Sequence, residues 1–235
     1  MINKKGVVLL SGGLDSCVIA AKAKFEGYEV SAIIFDYGQM HEREIGRAIK
    51  IAKSLEIPWH VVDLMFAKNL FRSQLLDGTV EDHRPLNEGE IAPTYVPMRN
   101  SIFLAIAAGY AESIEADNLF IGANFVDYGN YPDCRKEYLE SMRQSLMLGS
   151  SRWSEGEHEL TVHFHDGLTK SDIVKLGIEC NAPMELSWSC YRGQERPCLA
   201  CDSCYNRTKG FFEAGMSDPA LTEDEWREAI KILKV

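Results

Sequence analysis

Two groups of residues could do chemistry on their types and spacing alone: Ser11-Gly12-Gly13-Leu14-Asp15-Ser16, and four cysteines at 190, 198, 201 and 204. In the first, glycines let the backbone approach an anion closely, and a helix beginning at Leu14 would point free amides and a positive dipole end at it. Ser11 and Ser16 add hydroxyl donors. No Lys follows the glycines, so the stretch departs from the common G-x-x-x-x-G-K-[ST] nucleotide loop. The plain alternative is a turn whose glycines only satisfy backbone geometry. Asp15 among phosphates makes electrostatic sense beside Mg²⁺ or as an orienting acceptor.

Cys190, Cys198, Cys201 and Cys204 read C-x7-C-x2-C-x2-C, and the two short spacings let thiolates converge on one tetrahedral ion. Four sulfurs fill the shell of Zn²⁺ and leave no place for a water, so one structural zinc per chain is expected. An iron–sulfur cluster is the rival, because sulfur ligands alone do not separate the two metals. Cys17, Cys134 and Cys180 stand apart, and Cys17 reads as helix core.

The elements that must position these groups follow from periodicity. Gly6 to Leu10 is a short apolar run, broken at Ser11-Gly12-Gly13, after which Leu14, Cys17, Val18, Ala21 and Phe25 recur at helical spacing. Val30 to Phe35 repeats the run, Ile45 to Leu55 forms a second amphipathic pattern, and Trp59 to Leu64 follows Pro58 as a third strand. Alternating strands and helices predict an α/β fold, a parallel sheet flanked by helices. Residues 66 to 95 carry mixed charge, Gly and Pro with little periodicity and read as a long loop or flap. Arg99 to Ser113 reads as helix, Asn118 to Ala123 as strand and Arg135 to Leu148 as helix. The expected division is an α/β domain over 1–185 and a zinc-binding region over 186–235 packed on it.

Composition narrows the class. With 235 residues, 46% hydrophobic and 26% charged, the chain is long enough for a substantial core. The apolar run after Lys5 is too short for a signal-peptide core or a membrane span, so a cytoplasmic, reducing address and no membrane partner are expected. A net charge of -10 is the wrong sign for gripping a polyanion, which disfavours a nucleic-acid partner.

The pattern S-G-G-x-D-S after a first strand resembles the pyrophosphate loop of the ATP pyrophosphatase superfamily. With the four-cysteine tail, the chain as a whole resembles the 7-cyano-7-deazaguanine synthase family. Further matches are Phe35-Asp36-Tyr37-Gly38-Gln39 with His41, Tyr95-Val96-Pro97-Met98-Arg99-Asn100, Asp127 through Arg135, Lys170 to Gly177 and Trp188-Ser189-Cys190-Tyr191. The resemblance implies an adenine nucleotide alpha-hydrolase-like, Rossmann-like fold and an ATP-dependent ligase. ATP with Mg²⁺ would activate 7-carboxy-7-deazaguanine, ammonia would form the amide, and a second activation would dehydrate it to the nitrile.

The same resemblance implies that Leu10, Ser11, Gly12, Gly13, Leu14, Asp15 and Ser16 bind ATP, and that Asp15, Arg99, Lys170 and His41 form the catalytic set. Arg99 and Lys170 would meet the phosphates; ordinary surface charge is the plain reading of each. Asp127 or Asp133 would accept the N–H pair of a guanine-like edge, and Tyr128 or Tyr131 would stack on the base or simply pack in a turn. His41 would move protons or be a loop histidine with no task. A homodimer is the expected assembly.

Val162-His163-Phe164-His165-Asp166-Gly167-Leu168-Thr169 departs from the family, where an apolar threonine-proline-leucine segment is expected; it would be a surface strand or would reshape the pocket. That departure leaves open a second function, a ligase that stops at the amide or uses another amine. A third, a transfer-RNA-modifying enzyme, would use Arg192, Arg196, Arg207 and Lys209 beside the thiolates as a nucleic-acid module.

Overall fold

The computed structural model describes residues 4–38, 42–87, 89–124 and 130–234. Strands β1 (Lys5–Leu9), β2 (Glu29–Asp36), β3 (Trp59–Asp63), β4 (Asn118–Ile121) and β5 (Thr161–His163) form one sheet in the order β3-β2-β1-β4-β5. Every pairing is parallel, with Val8 opposite Ala32 on one side and Phe120 on the other.

Burial on both faces of the sheet accounts for the apolar runs. Val7, Leu9, Ile33, Leu119 and Ile121 point to one layer with Leu104, Ala107 and Ala111 of α5 (Arg99–Ser113). Their neighbours Val8, Leu10, Ala32, Ile34 and Phe120 point to the other, under α1 (Leu14–Phe25) and α2 (Glu42–Ser54). Strands hidden on both sides read as continuous apolar runs, which is how they were legible in the sequence.

The chain moves from β1 outward to β2 and β3, then crosses back to place β4 on the other side of β1. Adjacent connections therefore leave the carboxyl ends of β1 and β4 in opposite directions, opening a crevice there, the usual ligand position in such sheets. Both the glycine loop after β1 and Gly122 after β4 lie at this crevice.

Residues 66–95 are less open than a flap. They carry two one-turn helices, α3 (Ala67–Leu70) and α4 (Gln74–Asp77), and bury Leu75, Leu76 and Ala92 in the core. Periodicity could not reveal this, because neither helix completes a second turn. Of the two readings of residues 162–169, a strand forms at their start: β5 joins the sheet edge, where His163 stacks face to face on Phe120 at 4.3 Å, with 8° between the rings. A polar residue there does the work of an apolar one.

After α6 (Lys136–Leu148) and α7 (Lys170–Glu179), the remaining chain forms α8 (Asp202–Glu213) and α9 (Glu223–Ala229), with α8 packed along α7. No helix among the described residues is long and apolar enough to cross a membrane.

Candidate active site at the carboxyl ends of the central strands

The loop is shaped by its own hydroxyls. The Ser11 amide donates to Ser16 Oγ at 3.2 Å, the Ser16 hydroxyl donates to the Gly13 carbonyl at 3.0 Å, and the Gly13 amide donates to Ser11 Oγ at 3.3 Å. Gly12 turns the chain at φ +87°, and a Cβ there would stand 2.5 Å from the Glu44 carbonyl oxygen and 3.0 Å from the Ala48 nitrogen. Backbone cannot yield as a side chain does, so this approach demands glycine. Gly122 is similar: a Cβ would lie 2.6 Å from the Ser16 amide nitrogen. No side chain caps α1 at Gly13, so its opening amides keep no side-chain acceptor and face the crevice as donors.

Lys170 and Asp15 meet across this loop. Lys170 opens α7, whose start is set by a reciprocal cap between Thr169 and Asp172. From there its ammonium lies 2.7 Å from both carboxylate oxygens of Asp15. At 5% exposure Lys170 is not ordinary surface charge. His165 supports the same residue from behind, its Nε2 2.9 Å from the Asp15 carbonyl oxygen. Burial lowers the His165 pKa, so the ring is neutral, and since a carbonyl only accepts, Nε2 carries the proton. No described residue from 162 to 169 lines the cleft.

The opposite wall begins with Arg99, the first residue of α5, whose Nη1 lies 3.4 Å from the Tyr37 hydroxyl. Burial works against its charge, but Tyr37, Asp133 and Cys134 hold the Arg99 pKa above the ordinary value. Met98 before it has φ 56° and supplies no cap. The cap comes from Asp133 instead, whose carboxylate accepts from the Asn100 amide at 3.0 Å while its carbonyl accepts from Asn100 Nδ2 at 3.1 Å. Asp133 is thus committed to α5 and does not line the cleft, whereas Tyr131 lines it, its hydroxyl bonded to Thr94. His41, Asp127 and Tyr128 lie outside the described residues.

Together these residues enclose a cleft of about 200 Å³. Among the lining residues that sequence reading did not assign to the site is Glu44, whose pKa is pushed up to about 7 by burial, against the pull of Arg99 and with a contribution from Cys190. A signal existed: Glu44 lies on the helical stripe of buried Ala48, Ile51 and Ala52, where a carboxylate does not belong unless it has a task. Cys134 also lines the cleft, its thiol pushed up to about 12 by burial.

The cysteines converge as the spacing predicts. Their sulfurs all lie within 4.8 Å of one another, and Cys198 and Cys204 are 3.9 Å apart. A tetrahedron with metal–sulfur bonds of about 2.3 Å has edges of about 3.8 Å, so the four fit a single metal ion. Amides of Cys198 and Cys201 point at Cys190 and Cys198 sulfurs, each at 3.3 Å, which favours thiolate. The knuckle touches the cleft through Trp188, whose amide donates to the Gly12 carbonyl at 2.8 Å.

The arginines near the cysteines are engaged. Arg192 pairs with Asp82 at 2.6 Å, Arg196 with Glu225 at 2.7 Å, and buried Arg207 with Asp218 at 2.5 Å. Lys209 faces Glu213 at 3.9 Å. Each has a carboxylate partner.

The profile of the family described as "Queuosine biosynthesis protein QueC" matches residues 5–215. The chain belongs to the QueC family. Among QueC-type relatives it is 47% identical over 218 residues to the 7-cyano-7-deazaguanine synthase of Thermoplasma volcanium, covering 92% of this chain and 90% of that one. It is 44% identical over 221 residues to the enzyme of the same name from Oceanobacillus iheyensis, covering 93% and 98%. The NMN synthetase of Francisella tularensis superposes over 98% of this chain and 83% of its own, with a TM-score of 0.51 and 15% identity, a likeness of fold.

Proposed function

We propose that this chain is an ATP-dependent carbon–nitrogen ligase that converts 7-carboxy-7-deazaguanine and ammonia to 7-cyano-7-deazaguanine in queuosine biosynthesis. The supporting observation is that the loop, Lys170 and Arg99, each part of a separate family-like motif, border one cleft. A transfer to phosphorus asks the protein chiefly for positioning and fixed positive charge, and this cleft has both.

In this reading the amides at the α1 start hold the β- and γ-phosphates, and Lys170 and Arg99 neutralise charge on the phosphates as a carboxylate oxygen of the substrate attacks the α-phosphorus. Asp15 holds Lys170 in place. Mg²⁺ comes with the nucleotide and offsets phosphate charge, because both Asp15 oxygens already face Lys170. The adenylated acid then takes ammonia, and the amide oxygen repeats the attack to give the nitrile. Cys190, Cys198, Cys201 and Cys204 hold one structural Zn²⁺ whose bonds keep the knuckle folded; a multi-iron cluster would spread its thiolates over several metal atoms and so further apart than these lie.

The test is to supply zinc-loaded protein with ATP, Mg²⁺, ammonium and the acid labelled with oxygen-18 in its carboxylate. Nitrile should form with the label in AMP. Nitrile with unlabelled AMP, or no nitrile from folded protein, rejects the scheme.

A further inference from the structure

Among the described residues, Glu44 is the cleft-lining carboxyl with no hydrogen-bond donor. Asp15 is bound by Lys170, and Asp133, outside the cleft, by Asn100. Among the described residues, none donates a hydrogen bond to the Glu44 carboxyl. The Glu44 backbone packs against the loop: its carbonyl oxygen would lie 2.5 Å from a Cβ on Gly12. Glu44 lines the same cleft as Arg99 and the loop, and its carboxyl is close enough to the Arg99 guanidinium for the two charges to interact.

The groups that act on it are known. Arg99 on α5 lowers its pKa, and the Cys190 sulfur raises it, while burial dominates and brings it to about 7. Tyr37, beyond β2, interacts with both Glu44 and Arg99, and burial raises its pKa so that it stays protonated. Tyr131 is likewise raised by burial, and the Cys134 thiol lies at about 12. None of these three can accept a proton at neutral pH. A carboxyl poised near neutrality is matched to that task.

We infer that Glu44 is the general base of amination, taking the proton that the incoming nitrogen must shed. The inference rests on the ligase reading above. The ammonia lone pair forms the C–N bond as the carbonyl π pair moves onto oxygen. The adduct's ammonium then passes one proton to the Glu44 carboxylate. The oxygen pair returns, the C–O bond to AMP breaks, and AMP leaves with that bonding pair. A neutral amide remains, and the Glu44 acid returns its proton to water.

The test separates activation from amination. Exchange of labelled pyrophosphate into ATP, dependent on 7-carboxy-7-deazaguanine, needs activation but no nitrogen. Glu44→Gln should keep exchange within about threefold of wild type while amination by ammonium falls about 100-fold, the usual worth of a general base. Glu44→Asp should restore part of the amination rate. Hydroxylamine, whose adduct nitrogen is more acidic than that of ammonia and loses its proton more readily to water, should suffer a smaller loss in Glu44→Gln than ammonium does. Amination by Glu44→Gln at the wild-type rate overturns the inference, as does an equal loss in exchange, which would make Glu44 a support for the loop. Absence of exchange in wild-type protein overturns the ligase reading and this inference together.

Discussion

Lys170 holds both carboxylate oxygens of Asp15 at 2.7 Å, joining the first turn of α7 to the first turn of α1 across the loop between them. The lysine side chain is 6% exposed and the aspartate side chain 17%, so this is a pair largely removed from water. Each charge is tolerable there because of the other.

Removing one partner should therefore be worse than removing both. Lys170→Ala is expected to destabilise the protein by about 3–5 kcal/mol, the usual cost of leaving a buried charge unpaired. Asp15→Asn together with Lys170→Ala should recover part of that stability but none of the activity, since the cation on the phosphates is still missing. Denaturant unfolding and steady-state rates on the three variants check this; a double variant no more stable than Lys170→Ala contradicts it.

Gly12 and Gly13 should respond differently to a methyl group. At Gly12 the new Cβ meets backbone of α2 at 2.5 Å and sits at φ +87°, whereas at Gly13 the nearest atom is the Ser11 hydroxyl at 3.4 Å and φ is -77°. Overpacking costs about 1–3 kcal/mol, or roughly 3–10 °C in Tm for a chain of this size. Gly12→Ala should show that loss and Gly13→Ala almost none, whatever either does to ATP binding. Equal melting temperatures would refute the backbone contact.

Much of this was legible in the chain itself, and the reason is locality. The first strand, the glycine turn and α1 carry their signals within a few residues, and α5 runs over Arg99–Ser113 as its periodicity predicts. The cysteines converge because their spacing allows little else. What could not be read is long-range. Asp133 caps a helix 33 residues earlier, and His165 bonds a carbonyl 150 residues away, so neither role has a local trace. Glu44 was legible in principle as a charge on an apolar stripe, but only a folded cleft gives that charge a place to face.

Metal removal should loosen more than the knuckle. Residues 80–83 are stitched to it: Arg192 Nε donates to the Val80 carbonyl at 3.1 Å, the His83 amide donates to the Ala200 carbonyl at 2.7 Å, and the His83 ring stacks on Tyr205 at 3.8 Å. Structural zinc contributes about 10–16 kcal/mol of apparent binding energy, comparable with the stability of a whole domain. Chelation should raise hydrogen exchange in residues 79–87 in step with residues 190–206, while β1 and β4 stay protected. Exchange confined to the knuckle would show the strap to be independent of it.

Glu44 and His165 should bend the stability curve from opposite sides. Glu44 has a folded pKa of about 7 against an ordinary 4.5, so between those values the native state binds more protons than the unfolded chain. Stability then falls as pH rises through that window. His165 is lowered from its ordinary 6.5 by burial, so below that value the unfolded chain binds more protons and stability falls as pH drops. Glu44→Gln, which cannot ionise, should melt higher than wild type at pH 8, with the gap closing toward pH 4.5. His165→Gln, which keeps a donor for the Asp15 carbonyl but cannot be protonated, should lose less stability than wild type as pH falls below 6.5. Thermal unfolding of the three proteins across this range decides both. A Glu44→Gln advantage that persisted unchanged at acid pH would mean that volume or packing, and not a desolvated charge, sets the cost at that position.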